Sequence, residues 1–190
     1  MEHVTVKDLV LGSGGILVSG SEETPVSHIR LDSRQVEPGD LFVPLLGERV
    51  DSHRFLPQVM GQGAAAVLTS QEPALPEDGA GCAVIRVEDT KKALQKIGSY
   101  LRDRLTLPLV GVTGSVGKTT TREMIAAALS ARFRVYKTPG NSNSQVGVPV
   151  TLSEITENDQ VGVIELGMSE PGEMTVIAKI ARVDMAVITN

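Results

Sequence analysis

The sequence has 190 residues, with 18 Lys and Arg against 23 Asp and Glu for a net charge of −5, and 41% of its residues are hydrophobic. This composition is typical of a globular protein of one or two domains and excludes intrinsically disordered and collagen-like chains. The acidic balance and the 3% aromatic content argue against a general nucleic-acid-binding surface, which requires clustered cations and stacking rings.

No apolar run approaches the ~20 residues that a membrane-spanning helix requires. The N-terminal segment MEHVTVKD also lacks the apolar core of a signal peptide, so we expect a cytoplasmic protein without membrane insertion. The single cysteine, Cys82, has no intramolecular disulfide partner and lies in the apolar run CAVIRV. We therefore assign it to the core and give it no chemical role.

Short apolar runs alternate with helical segments through the first 106 residues, which predicts an α/β domain. One helix is expected from about residue 50 to 60, and a second follows an N-cap at Asp89 or Thr90, where apolar residues recur at three- and four-residue spacing. The segment LTLP at 105–108 interrupts this periodicity, so we place a domain boundary near residue 107. The predicted strands are GILVSG, VSHIRL, DLFVPL, AAAVLTS and CAVIRV.

The second part repeats a strand–helix–strand pattern, which predicts a doubly wound parallel sheet. An α/β nucleotide-binding domain of only ~80 residues is small, so we expect the sequence to be a piece of a longer protein. The predicted elements are a strand at 109–113, a glycine-rich turn at 114–117, a helix at 118–131, a strand at 133–137, a helical or irregular stretch near 146–156, a strand at 161–166, a helix at 172–181 and a strand at 184–189.

The most informative segment is LVGVTGSVGKTTT, residues 109–121, which passes from a strand through glycines into a helix. Glycines allow backbone N–H groups to turn towards phosphate oxygens, Lys118 supplies a cation and the Thr119 hydroxyl can ligate Mg²⁺. The spacing departs from G-x-x-x-x-G-K-[ST], because Val112 stands where the first glycine belongs. The strand–turn–helix context favours nucleotide phosphate binding over the alternative, a structural glycine turn with a surface lysine.

Glu165 ends the apolar strand VGVIEL. In phosphate-loop proteins the strand beside the loop commonly presents a carboxylate to the metal, so Glu165 is a candidate Mg²⁺ ligand. The alternative is a carboxylate that caps the strand end in water. Gly167 favours the metal site, because a small residue there lets the following loop approach the phosphates.

The loop TPGNSNSQ, residues 138–145, follows a strand at the edge where open α/β sheets bind ligands. Its side chains either contact a polar substrate or form an ordinary Pro-Gly-Asn turn, and the residues themselves leave both interpretations open. Glu170 and Glu173 lie where Pro171 opens a helix, so we interpret them as structural. The three histidines of the chain show no metal-ligand spacing.

Four segments together resemble the Mur ligase family of bacterial peptidoglycan synthesis, and within it the branch that adds D-alanyl-D-alanine to a UDP-N-acetylmuramoyl-tripeptide. The phosphate loop at 113–119 is similar to a variant that this family uses, which accounts for the unusual spacing. Mur ligases have an N-terminal domain for the UDP end of the substrate, a central ATPase domain and a C-terminal domain for the amino substrate. The segments are LDSRQVEPGDLFVPLLGERVDSHRF, GVTGSVGKTTTREM, TPGNSNSQVGVPVTL and IELGMSEPGEM, and the resemblance covers nearly all 190 residues in order.

The resemblance implies a UDP-substrate-binding domain at 1–106 and an incomplete ATP-binding domain at 107–190. Mg²⁺ would be held by Thr119 and Glu165, with Lys118 as the catalytic cation. The residues implied to contact ATP are Thr113, Gly114, Ser115, Val116, Gly117, Lys118 and Thr119.

The same resemblance implies contacts with the UDP-N-acetylmuramoyl-peptide. Ser33 and Arg34 belong to the implied UDP pocket, as does the stretch from Gly47 to His53, in which serine replaces the family's usual glycine at position 52. Asn141 and Asn143 match positions near the reacting end of the substrate, and serine replaces a frequent asparagine at position 144.

The implied reaction is ATP-driven amide formation. The terminal carboxylate of the substrate attacks the γ-phosphorus of ATP, and the amine of D-Ala-D-Ala then displaces phosphate from the acyl phosphate. The alternatives are another Mur or folate-type ligase and a non-catalytic module that binds a UDP-sugar or nucleotide. Because no domain here would position the amine, we expect the 190-residue chain to be inactive alone.

Overall fold

The computed structural model describes residue 1 and residues 3–47, 50–72 and 81–190. The chain forms two compact units, Met1–Ile97 and Gly98–Asn190, and each has its own sheet. Among the described residues, no helix combines the length and the apolar character needed to cross a bilayer.

The first unit contains a five-stranded sheet in the order β1-β5-β4-β3-β2. Strands β2 to β5 are parallel to one another, and β1 pairs antiparallel with β5 at the edge. Each strand lies within one of the five predicted apolar runs, so those predictions are confirmed, although the strands are shorter. Their bounds are β1 Ile16–Ser19, β2 Ile29–Arg30, β3 Leu41–Phe42, β4 Ala66–Thr69 and β5 Ala83–Arg86.

Three helices accompany this sheet: α1 Val6–Ser13, α2 Leu56–Gly61 and α3 Thr90–Arg104, which continues into the second unit. Helix α1 is absent from the sequence predictions, although Thr5 and Asp8 form a capping box in which Asp8 accepts a hydrogen bond of 2.9 Å from the Thr5 backbone. The helix expected at 50–60 is a 3₁₀ turn at 52–55 followed by α2.

Helix α2 and the sheet enclose one hydrophobic cluster of the first unit, around Phe42, Val59 and Val84. Cys82 belongs to the same cluster and is buried. Desolvation raises the pKa of its thiol to about 11, so the thiol stays protonated at neutral pH. This burial agrees with the structural role predicted for the cysteine.

The second unit contains a four-stranded, fully parallel sheet in the order β7-β8-β6-β9. Helices pack on both faces, because Val163 joins a cluster with α4 whereas its neighbour Ile164 joins one with α5 and α6. The predicted parallel α/β architecture is confirmed. The elements are β6 Leu109–Gly114, α4 Lys118–Ser130, β7 Val135–Lys137, α5 Gly147–Glu154, β8 Val161–Glu165, α6 Glu173–Ala181 and β9 Met185–Thr189.

The start of α6 agrees with the structural interpretation of its acidic residues. The Glu173 carboxylate accepts hydrogen bonds from the backbone N–H groups of Ser169 (2.7 Å) and Glu170 (3.0 Å). Both N–H groups precede the N-cap Gly172, so the Glu173 carboxylate stabilises the turn that leads into α6.

Candidate functional site: a phosphate loop beside a buried carboxylate

The phosphate loop connects β6 to α4, and two of its glycines are required by backbone geometry. Gly114 has φ +137°, and a Cβ there would lie 2.2 Å from the Thr189 hydroxyl oxygen of the adjacent strand β9. Gly117 has φ +85° and is the N-cap of α4. A side chain is disfavoured at both φ values, and at Gly114 its Cβ would also collide with Thr189, so the loop passes close to β9 at this glycine.

The loop presents cationic and dipolar groups to solvent. Ser115, Val116 and Gly117 are exposed, and the first turn of α4 begins directly after them. The Lys118 ammonium donates a hydrogen bond of 2.8 Å to the Gly114 carbonyl, which folds the side chain back along the loop. Because the first N–H groups of a helix have no acceptor within it, this arrangement can bind a phosphate.

Residues at the end of β9 form hydrogen bonds with the phosphate loop, and the sequence analysis did not predict this contact. The Thr189 hydroxyl lies 3.1 Å from the Thr113 carbonyl oxygen and 2.6 Å from that of Val116. The Val116 N–H donates to the Asn190 carbonyl. No sequence pattern marks Thr189, because its position beside β6 depends on the order of strands in the sheet.

Glu165 lies at the end of β8 and is only 2% exposed. Its Oε2 accepts hydrogen bonds from the Thr119 hydroxyl (3.1 Å) and from Arg122 Nη1 (3.0 Å), and its Oε1 accepts one from Asn143 Nδ2 (2.8 Å). The alternative of a carboxylate that caps a strand in water is therefore wrong. The structure brings three of the sequence-predicted residues, the exposed Thr119, the partly buried Asn143 and the buried Glu165, into one hydrogen-bonded cluster.

Arg122 is the member of this cluster that the sequence analysis missed. Its guanidinium also donates to the Gly140 carbonyl (2.9 Å) and to Glu123 Oε1. Glu123 also pairs with Lys137. Hydrogen bonds from Lys137 and Arg122 lower the pKa of the Glu123 carboxyl, and the bond from Lys137 has the larger effect. The sequence could have indicated that Arg122 lies beside Thr119, because the two residues are three apart on one helix and therefore share a face.

The polar loop at 138–145 packs against the end of β8. The Thr138 hydroxyl accepts the Glu165 N–H (2.9 Å), and the Asn143 carbonyl accepts the Gly167 N–H (2.8 Å). A Cβ on Gly167 would lie 2.7 Å from Asn143 Cγ, so the small residue at 167 lets Asn143 approach. Asn141, the other predicted substrate residue of this loop, is exposed.

The oxygen donors beside the phosphate loop suit Mg²⁺. They are the Thr119 hydroxyl and the Glu165 carboxylate, and the described part of the chain contains no cluster of three or more His, Cys, Asp or Glu side chains able to hold a metal ion. Mg²⁺ prefers oxygen ligands and commonly combines one or two protein groups with substrate phosphates and water. These residues therefore fit a metal that is shared with a bound nucleotide.

In the first unit, Ser33 and Arg34 lie on a 3₁₀ turn that Asp32 caps. Ser33 is buried, whereas the Arg34 side chain is 84% exposed and its Nε donates to Asp32 Oδ1 at 2.9 Å. This side-chain hydrogen bond, assisted by the Arg34 backbone N–H, lowers the pKa of Asp32 to about 2. The guanidinium thus faces solvent with an ionised partner.

His53, another predicted substrate residue, is buried with both ring nitrogens bound. Its Nε2 accepts the Ser70 backbone N–H at 3.2 Å, so the proton lies on Nδ1, which donates to Asp51 Oδ1 at 2.6 Å. His53 therefore ties the 3₁₀ turn at 52–55 to the end of β4. Residues 48 and 49 of the predicted substrate stretch lie outside the described residues.

Two models of one protein family match the chain in order. The Mur ligase family, catalytic domain, matches residues 25–101, and the Mur ligase middle domain matches residues 112–190. The UDP-N-acetylmuramoyl-tripeptide–D-alanyl-D-alanine ligase of Bacillus subtilis is 42% identical over 98% of this chain. The chain spans 40% of the length of that relative.

Solved structures of the same enzyme, MurF, have the same fold. The Acinetobacter baumannii enzyme superposes with a TM-score of 0.88 at 34% identity, over 97% of this chain and 40% of that one. The Thermotoga maritima enzyme in complex with ADP gives a TM-score of 0.71 at 32% identity, over 83% of this chain and 35% of that one. The matched domains, the relatives and the phosphate loop agree, and the chain belongs to the Mur ligase family.

Proposed function

We propose that this chain supplies the UDP-substrate-binding and ATP-binding parts of a cytoplasmic UDP-N-acetylmuramoyl-tripeptide–D-alanyl-D-alanine ligase. The observation that carries the proposal is the phosphate loop at 114–119 with Thr119 hydrogen-bonded to the buried Glu165. The relatives from Bacillus subtilis (42% identical) and Acinetobacter baumannii (34% identical) are D-alanyl-D-alanine ligases, which favours this branch over other Mur and folate-type ligases.

The proposed reaction begins with the substrate's terminal carboxylate attacking the γ-phosphorus of ATP. Two anions must approach each other, so the residues of this chain act mainly by neutralising charge. Lys118 and the N–H groups at the start of α4 would bind the phosphates, and Thr119 and Glu165 would hold Mg²⁺. When bound, Mg²⁺ supplies Lewis-acid stabilisation of the charge on the phosphate oxygens.

The loop at 138–145 would bind the substrate near its reacting end. Asn143 is held by Glu165, whereas Asn141 is exposed and available to the ligand. In the first unit, the exposed Arg34 would bind the diphosphate of UDP, because a guanidinium can donate paired hydrogen bonds to phosphate oxygens. Ser33 and His53 would shape this pocket, His53 through its bond to Asp51.

The test is ATP binding by the chain and by a Lys118→Ala variant, measured by calorimetry in Mg²⁺. Because a hydrogen bond to a charged group contributes about 1.5–3 kcal/mol, we expect Lys118→Ala to weaken binding about 10- to 150-fold. Lys179→Ala is the matched control, since it removes an equal charge from an exposed position on α6. Equal ATP affinity in the chain and the Lys118 variant would contradict the assignment.

A further inference from the structure

Arg122 already neutralises the carboxylate that the proposed metal site depends on. Its Nη1 lies 3.0 Å from Glu165 Oε2, the same oxygen that accepts the Thr119 hydroxyl at 3.1 Å. A carboxylate oxygen has about two lone-pair positions, so both positions on Oε2 are occupied. Glu165 Oε1 is also engaged, by Asn143 at 2.8 Å.

The guanidinium is held in place by more than this ion pair. Arg122 is 5% exposed, and its Nη1 also donates to the Gly140 carbonyl at 2.9 Å. Its Nε and Nη2 donate to Glu123 Oε1 at 3.2 and 2.7 Å. Moving the charge away from Glu165 would break all of these bonds, so Arg122 is a fixed cation of the site.

A fixed cation changes what the site can bind. The pair of Arg122 and Glu165 has no net charge, and an incoming divalent cation at Oε2 would meet a positive group at hydrogen-bond distance from the same oxygen. Like charges this close repel each other beside a carboxylate whose side chain is only 2% exposed. The phosphates of a nucleotide bound at the exposed loop would supply the missing negative charge.

We propose that Arg122 prevents the site from binding a free divalent cation, so that the metal binds only together with the nucleotide. This inference rests on the proposed function, because it assumes the metal site at Thr119 and Glu165. Arg122 would thereby control the order in which the metal and the nucleotide bind. The same ion pair holds the Glu165 carboxylate in its orientation before the ligands arrive.

The test uses Mn²⁺ as the probe, because its binding can be followed by electron paramagnetic resonance. Without nucleotide, we expect the chain to show no Mn²⁺ site with a Kd below about 1 mM, and Arg122→Gln to gain at least about tenfold in Mn²⁺ affinity, since it removes one nearby like charge. Arg122→Lys, which retains the charge, is the matched control. We expect its Mn²⁺ affinity to equal that of the unaltered chain. Adding Glu165→Gln to Arg122→Gln abolishes the gained site.

Equal Mn²⁺ affinity in the chain and in folded Arg122→Gln would overturn the inference. If Arg122→Gln does not fold, the chain itself provides the measurement, through Mn²⁺ broadening of the amide NMR signals of Thr119 and Asn143. Broadening that requires ATP supports the inference, and broadening by Mn²⁺ alone at sub-millimolar concentration overturns it. Failure of the chain to bind ATP at all would instead reject the proposed function, so the two failures are distinguishable.

Discussion

Each candidate binding region of this chain contains an arginine–carboxylate pair, Arg34–Asp32 in the first unit and Arg122–Glu165 in the second. In the pair Arg122–Glu165 the side chains are 5% and 2% exposed, and in the pair Arg34–Asp32 they are 84% and 33% exposed. The chemical groups are alike, but the surroundings differ. A buried pair is a fixed part of the fold, whereas the arginine of an exposed pair can leave its carboxylate and bind a ligand.

The buried pair is surrounded by groups placed to hold it. Thr119 and Asn143 donate to Glu165, and the Gly140 carbonyl accepts from Arg122. Removing charges from water costs several kcal/mol per ion, and such a pair persists only when further hydrogen bonds accompany the Coulomb attraction. The exposed pair is formed within one 3₁₀ turn, where water competes with the salt bridge and its contribution to stability is small.

The largest expected effect comes from breaking the buried pair. Arg122→Met retains most of the side-chain volume but leaves the Glu165 charge without its partner. We expect the free energy of unfolding to fall by about 3–5 kcal/mol, the usual cost of removing one member of a buried ion pair. Urea denaturation followed by circular dichroism measures it.

Arg34→Met is the matched comparison for that experiment, and we expect it to leave the urea midpoint unchanged. A similar small effect for Arg122→Met would show that Glu165 is hydrated in solution and that the two pairs are energetically alike.

We expect a smaller effect from removing the guanidinium of the exposed pair, which is proposed to bind the diphosphate of UDP. Because Arg34 can leave Asp32 at little cost and turn to a diphosphate, Arg34→Ala is expected to weaken binding of UDP-N-acetylmuramic acid about tenfold. Titration followed by amide NMR shifts measures the affinity. Lys7→Ala, which removes an exposed cation from α1, serves as the control. Identical affinities for the chain and Arg34→Ala would exclude the guanidinium from the UDP site.

The smallest effect concerns the pH dependence of the exposed pair. The Asp32 pKa is about 2 in the folded chain against its ordinary value of 3.8, so the carboxylate stabilises the fold above pH 3.8. This contribution is lost as the pH falls through about 2. NMR titration of the Asp32 carboxyl carbon should give a midpoint near 2, moving towards 3.8 in Arg34→Ala. A midpoint of 3.8 in the unaltered chain would show that the salt bridge does not persist in solution.

Local sequence patterns were sufficient for much of the fold. The five apolar runs of the first part became strands, and the second part formed the expected parallel sheet, because strand and helix periodicity are local properties of the chain. Helix α1 was missed, although Thr5 and Asp8 marked its start. The phosphate loop was predictable because its glycines, Lys118 and Thr119 are contiguous.

The cluster around Glu165 depends on tertiary structure. Arg122 is on α4, Asn143 is in the loop after β7, and Glu165 ends β8, and only the strand order β7-β8-β6-β9 brings these segments together. Thr189 reaches the phosphate loop for the same reason, since β9 lies beside β6. The sequence by itself predicted which residues would bind phosphate and metal. Only the fold pairs Glu165 with the buried Arg122, because burial and the distances between remote side chains are set by packing.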